Sequence, residues 1–428
     1  MSTHLKRWLW RLSAAVTVLS VAAPAWAVPS FARQTGQDCV ACHIGGYGPQ
    51  LTPYGIRFKL GGYTDSDGKG GKVPLSGMVV ASYNQFKNDD GKDTSKTRMS
   101  EASIFLAGRL TDQIGAFVQA THDGIERHSA IDQADIRYAT PLTLYGKDAI
   151  LGVSVNNNPT VQDPFNTLPV WSFPYTSSPY GNAMGAEFQG LGGVEQRVMG
   201  TSAYAFVDNR WYGELGLYNT ISPGVQSRLG LGHADGQELG RLRNAPYWRL
   251  GYMRDLRTQA FSVGLFGFDG TLKDRSSGDR LARFKDLGVD ASYQFLGTRE
   301  HVATVNTSYI RERSTDAEGA RNTQRDWRLS TSYHFQNTYG GTIGYFRGTS
   351  ANGEAGNRGM LYQLDWTPWG KESSWMSPWA NLRVGLQYVA YRRYVQGTTD
   401  EATGETSYAP VGRPRDKNTV SVFAWTSF

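Results

Sequence analysis

The chain has 428 residues, 39% hydrophobic, 12% aromatic and 19% charged, with 50 Gly, 23 Tyr, 18 Phe, 12 Trp and only two Cys. A mean hydropathy of -0.44 excludes a bundle of apolar helices, and beyond the first thirty residues no apolar run reaches the ~18 residues a spanning helix needs. Two cysteines cannot make a disulfide framework, whereas abundant Gly and aromatics suit many short strands.

In chain order, Lys6, Arg7 and Arg11 precede an apolar stretch from Leu12 to Ala23, which is followed by Ala25-Trp26-Ala27. A basic region, a short apolar core and a small-x-small site make residues 1–27 a cleavable signal peptide that carries the chain out of the cytoplasm. The peptide takes three basic residues and no acid from a formal net charge of +6. The remainder is nearly neutral, so charge gives no argument for nucleic acid as a partner.

Both cysteines then fall in Cys39-Val40-Ala41-Cys42-His43. This C-x-x-C-H spacing reads as the attachment site of one covalent haem c. Two thiols one helical turn apart meet the two porphyrin vinyl groups, and His43 supplies the proximal axial ligand. A redox C-x-x-C belongs beside a βαβ pattern and a structural zinc site needs about four ligands; the sequence offers neither. Residues 28–72 form a monohaem segment too short to bury a core of its own, so it is expected to dock in the rest of the chain. Its Gly-rich end (Asp65, Gly68, Gly70, Gly71) reads as a linker.

From Gly77 onward, runs of about ten residues alternate apolar and polar, as in Leu287, Val289, Ala291, Tyr293 and Phe295 interleaved with Gly288, Asp290, Ser292 and Gln294. Period two with one apolar face marks strands, and strands of ~9–11 residues with terminal aromatics fit an outer-membrane barrel. The predicted spans are 77–86, 99–110, 114–122, 131–139, 148–157, 197–207, 210–219 and 246–255, then 258–269, 285–296, 299–312, 325–336, 339–349, 358–367, 380–395 and 416–428. The fold class is therefore all-β: a transmembrane outer-membrane barrel of about 16 strands over residues 73–428, preceded by the short cytochrome segment. Long connections such as 158–196 and 396–415 alternate with tight ones such as Asp208-Asn209 and Asn337-Thr338, with 140–147 and 368–379 as longer exceptions. Short turns belong on the periplasmic side, which puts the haem segment and both termini there.

In the first strand, Val79, Ala81 and Tyr83 face lipid, which turns Met78, Ser82 and Asn84 inward. Met78 is thereby the candidate sixth ligand of the haem iron. Loop 158–196, rich in Pro and aromatics, either folds into the outer mouth or caps the barrel. His122, His128, His233, His301 and His334 are too scattered to mark a metal cluster. The acidic outer-loop residues, including Asp89, Asp90, Asp123, Asp279 and Glu401, have no ligand spacing, so solvated loop charges are the simpler reading.

Pro29 to Gly36, Cys39 to His43 and Leu51-Thr52-Pro53-Tyr54-Gly55-Ile56-Arg57-Phe58-Lys59 together resemble the fused monohaem cytochrome–porin proteins of the outer membrane in Fe(II)-oxidising bacteria, the outer-membrane iron oxidase family. The resemblance implies electron transfer from extracellular Fe(II), through one haem, to a periplasmic cytochrome or copper protein. It implies no bond-making catalysis. Arg33, Arg57 and Lys59 either pair with the haem propionates, since a cation facing a carboxylate makes a strong charge-assisted hydrogen bond, or face solvent on the periplasmic side. Two alternatives stay open: a conduit for another donor, and a diffusion porin with a structural haem segment.

Overall fold

The computed structural model describes residues 29–88, 91–231, 239–349, 353–399 and 406–428. The signal peptide expected at 1–27 lies outside them, as do Asp89, Asp90, His233 and Glu401.

Among the described residues, the first half of the barrel comprises β1 (Leu75–Lys87), β2 (Asp93–Arg109), β3 (Ile114–Asp123), β4 (His128–Leu144), β5 (Lys147–Asn156), β6 (Val198–Val207), β7 (Trp211–Thr220) and β8 (Ala245–Asp255). The second comprises β9 (Gln259–Lys273), β10 (Arg280–Phe295), β11 (His301–Asp316), β12 (Arg321–Phe335), β13 (Tyr339–Thr349), β14 (Ala355–Trp366), β15 (Asn381–Arg393) and β18 (Thr419–Ser427). These sixteen strands form one closed antiparallel barrel. β1 pairs with β18 from Met78 opposite Ser427 to Gln85 opposite Val420, so no edge is left.

Each predicted segment is one of these strands. Several connections differ from expectation, most of them shortened because the strands run further. Residues 140–147 contract to a turn at Tyr145 and Gly146, because β4 runs on to Leu144. The last long loop carries its own hairpin, β16 (Val395–Thr399) and β17 (Thr406–Pro410).

Alternation sorts the side chains onto two faces. On β7, Trp211, Leu215 and Leu217 are 60%, 72% and 50% exposed, while Tyr212, Glu214 and Tyr218 are buried. Apolar residues outside and polar ones inside reverse the order of a soluble protein. Together with closure, which satisfies every strand's backbone, this is the architecture of an outer-membrane barrel.

The lumen is occupied. The loop at 157–197 folds inside, where its Leu168, Leu191 and Val194 pack against Tyr218, Tyr247, Phe266, Phe268 and Phe284 of the wall. Fully buried ion pairs pin it: Arg249 lies 3.0 Å from Asp163 of the loop and 2.8 Å from Asp290. Removing one member of such a set would leave an uncompensated buried charge. Between the loop and the β11–β14 wall, a cavity of about 30 Å³ lined by Trp171, Phe173, Ser308 and Ser330 remains, room for about two waters.

Candidate haem site

The segment ahead of β1 folds into three short helices: α1 (Ser30–Thr35), α2 (Cys39–Cys42) and α3 (Pro53–Leu60). Helix α1 stops at Gly36, whose φ of 67° is the left-handed cap that glycine adopts without strain. Thr52 caps α3 by accepting from the Gly55 N–H at 3.2 Å, and Pro53 follows at the first helical position. The same hydroxyl donates to the Ala41 carbonyl at 2.6 Å, tying α3 onto α2. Gly55 permits this approach, since a Cβ there would overlap the Cys42 carbonyl.

Helix α2 is a single turn, with Cys39 and Cys42 at its ends and His43 at its C-terminal boundary. Both cysteines are free, and as whole residues they are half-buried. Burial raises the Cys39 thiol to about 11 and that of Cys42 to about 12, so both stay protonated near neutral pH. Burial drives the His43 imidazole down to about 4, with Arg383 adding to the shift and the Gln50 backbone opposing it. His43 is therefore neutral, the state in which imidazole binds a metal. Its Nδ1 is buried without a hydrogen-bond partner, and the ring lies against Gly48, where a Cβ would approach Cε1 to 3.2 Å. Two free thiols one turn apart and a neutral imidazole with an unsatisfied nitrogen are a donor set that suits a haem c.

The segment sits in the barrel mouth that carries the tight turns. Asn381 on β15 donates to the Gly46 carbonyl at 2.6 Å, Gln294 on β10 to Leu51 at 2.8 Å, and Tyr204 on β6 to Leu60 at 2.7 Å. Tyr63 donates to Asp135 of β4 at 2.6 Å, and Tyr47 packs on Trp425 of β18 at 5.0 Å between centroids. The contacts come from all around the wall, so the lumen supplies the core that the segment lacks.

The residues expected beside the propionates are not brought together. Lys59 is buried, and its Nζ donates to the carbonyls of Val161 and Asp163 at 2.8 and 2.7 Å and to Asn166 Oδ1 at 2.8 Å. Three acceptors use all three N–H groups of an ammonium, so Lys59 latches the segment to the lumenal loop and is not available to a propionate. Arg57 faces out at the rim, paired with Asp255 at 3.2 Å. Arg33 reaches the start of β1. It donates to the Leu75 carbonyl at 2.6 Å and stands 5.9 Å from the Trp379 ring centroid. The loop that carries Trp379 also bonds, through Ser373 and Ser377, to Asp38 next to Cys39.

Met78 faces the lumen, as its strand parity predicts, in an apolar cluster with Val80, Phe105 and Ala107 on which Phe31 of α1 and Trp425 also pack. Three further wall residues meet the segment: His334, which the sequence shows only as one of its scattered histidines and whose ring a Cβ on Gly45 would approach to 2.6 Å, Asn381 and Arg383. Inward parity on β12 and β15 was the available signal, but it marks every second residue alike.

No protein-family model and no curated protein matches the chain. Among solved structures it is similar to an anion-selective porin from Comamonas acidovorans, with 13% identity over 82% of this chain and 98% of that one and a TM-score of 0.48. It is also similar to OmpT of Vibrio cholerae, with 11% identity over 83% and 96% of the two chains and a TM-score of 0.42. OmpF of Salmonella typhi in complex with daunomycin gives 10% identity over 83% and 97%, with a TM-score of 0.45.

Proposed function

We propose that the chain is an outer-membrane electron conduit that takes electrons from extracellular Fe(II) and passes them, through one haem c, to a periplasmic cytochrome or copper protein. The observation that carries the reading is the pairing of the Cys39–His43 donor set with a lumen that holds its segment in place. Cys39 and Cys42 would anchor the porphyrin, His43 would bind the iron, Arg33 would pair with a propionate, and Met78 offers a thioether from the wall. The bound haem would supply reversible one-electron chemistry, with a potential set by ligands and burial. The chain's own work is to hold the site, exclude water with the lumenal loop, and carry the whole across an insulating bilayer.

Purified holoprotein tests this. The reading expects one covalent haem per chain, reduced by anaerobic Fe(II). A haem that only an organic shuttle or a partner cytochrome reduces would make the chain a conduit for another donor.

A second reading, a diffusion porin whose haem segment is structural, is favoured by the sixteen-strand architecture. It expects large conductance that is indifferent to loss of the haem, against which the packed lumen argues.

A further inference from the structure

We propose that Glu101 and Asp132, with the neutral oxygens of Thr121 and Gln133, hold a hydrated divalent cation on the lumen wall, beyond the cysteine segment toward the long loops. The inference deepens the reading of Fe(II) as substrate and rests on it only for the identity of the metal.

Two irregularities build the place. Pairing of β1 with β2 passes from Val80–Glu101 to Ala81–Met99, leaving Ser100 unpaired. Pairing of β3 with β4 passes from Gln119–Gln133 to Ala120–Ile131, leaving Asp132 unpaired. A bulge re-aims the side chain at or beside it. Here two bulges, on the strands flanking β3, bring a carboxylate to either side of Gln119 and Thr121.

The two carboxylates have only neutral partners. Glu101 accepts from Ser103 Oγ at 2.8 Å and Gln119 Nε2 at 3.1 Å. Asp132 accepts from Thr121 Oγ1 at 3.3 Å, Gln133 Nε2 at 3.2 Å and Gln196 Nε2 at 2.7 Å. Among the described residues, neither forms an ion pair, whereas Asp135, three positions along β4, is bound to Arg137 at 2.8 Å.

Gln133 supplies an independent sign. It is 8% exposed, its amide nitrogen sits on Asp132, and its Oε1 is buried with no donor. An unsatisfied acceptor beside a carboxylate is a site for a group that takes lone pairs from oxygen, which is a cation and not an anion. Hard divalent cations are held by one or two carboxylates and keep several waters, so the set needs no third acid. Indeed, no three His, Cys, Asp or Glu side chains converge on a metal position among the described residues.

The place is adjacent to the haem site. Met78 lies opposite Ser103, and Val80 opposite Glu101. Asp132 stands three residues, ~10 Å, along β4 from Asp135, which receives the Tyr63 hydroxyl.

Mn(II), which has an EPR signal and is not oxidised under these conditions, is the probe, titrated into detergent-solubilised holoprotein. The wild type is expected to bind one Mn(II), and the pair Glu101→Gln with Asp132→Asn to weaken it about tenfold or more. Gln133→Met, which keeps both carboxylates, should weaken it less but in the same direction. Folding of each variant is read from the barrel's resistance to SDS. A wild type that binds no Mn(II), or binds it no better than either folded variant, overturns the proposal. Mn(II) bound here in a protein that Fe(II) cannot reduce would keep the cation site and sink the proposed function. Fe(II) reduction in a wild type that binds no Mn(II) would do the reverse.

Discussion

Lys59 of the cysteine segment and Asn166 of the lumenal loop, 107 positions apart in sequence, are joined by a 2.8 Å hydrogen bond inside the barrel. The same ammonium bonds two loop carbonyls, so one buried side chain couples both parts that fill the lumen. Lys59→Met keeps the chain length and leaves three acceptors without a donor, which is expected to cost about 2–3 kcal/mol. The measurement is protease accessibility of residues 29–72 in the folded barrel. Cleavage in the variant at the wild-type rate would contradict the latch.

Cys39→Ala and Cys42→Ala should each remove one thioether, and together abolish haem that survives SDS, as read by peroxidase staining of a denaturing gel. His43→Ala should keep the covalent haem but shift its absorption bands. Met78→Ala should shift them as well if its thioether binds the iron, and an unchanged spectrum would remove Met78 as the sixth ligand.

Glu195, in the loop beside β6, has its carboxyl raised from 4.5 to about 7, chiefly by burial. Its unfolded form loses the proton near 4.5 and its folded form only near 7. The stabilisation this gives is full below about pH 4.5 and is lost as pH rises to about 7. Proteolysis of the loop should therefore be faster at pH 7.5 than at pH 4.5, and Glu195→Gln should flatten the difference. A profile as steep in the variant as in the wild type would contradict this assignment.

Arg249, Asp163 and Asp290 are fully buried in the lumen, which is expected to leave the intact chain nearly silent in a planar bilayer. Large ohmic steps would contradict a filled barrel and favour the diffusion reading.

The strands were legible in the sequence because lipid on one side and a polar lumen on the other force strict alternation, as in Trp211, Leu215 and Leu217 against Tyr212, Glu214 and Tyr218. Their outer ends were not. β2 starts at Asp93 rather than 99, since Thr94, Lys96 and Arg98 continue the pairing where the lipid pattern has faded. The cysteine motif was legible from spacing alone, and inward parity placed Met78. Lys59 was misread because basic character shows at once in a sequence, whereas its three acceptors lie more than a hundred residues away. The bulges at Ser100 and Asp132 also leave no local mark, since pairing register is a property of two strands together.

Proteoliposomes holding oriented holoprotein, with an oxidised periplasmic-type cytochrome sealed inside and Fe(II) added anaerobically outside, test the central claim most directly. The account predicts reduction of the trapped cytochrome by wild type, and none by Cys39→Ala/Cys42→Ala in the same folded barrel. Equal reduction in both, or reduction in neither while wild type carries its haem, would contradict it.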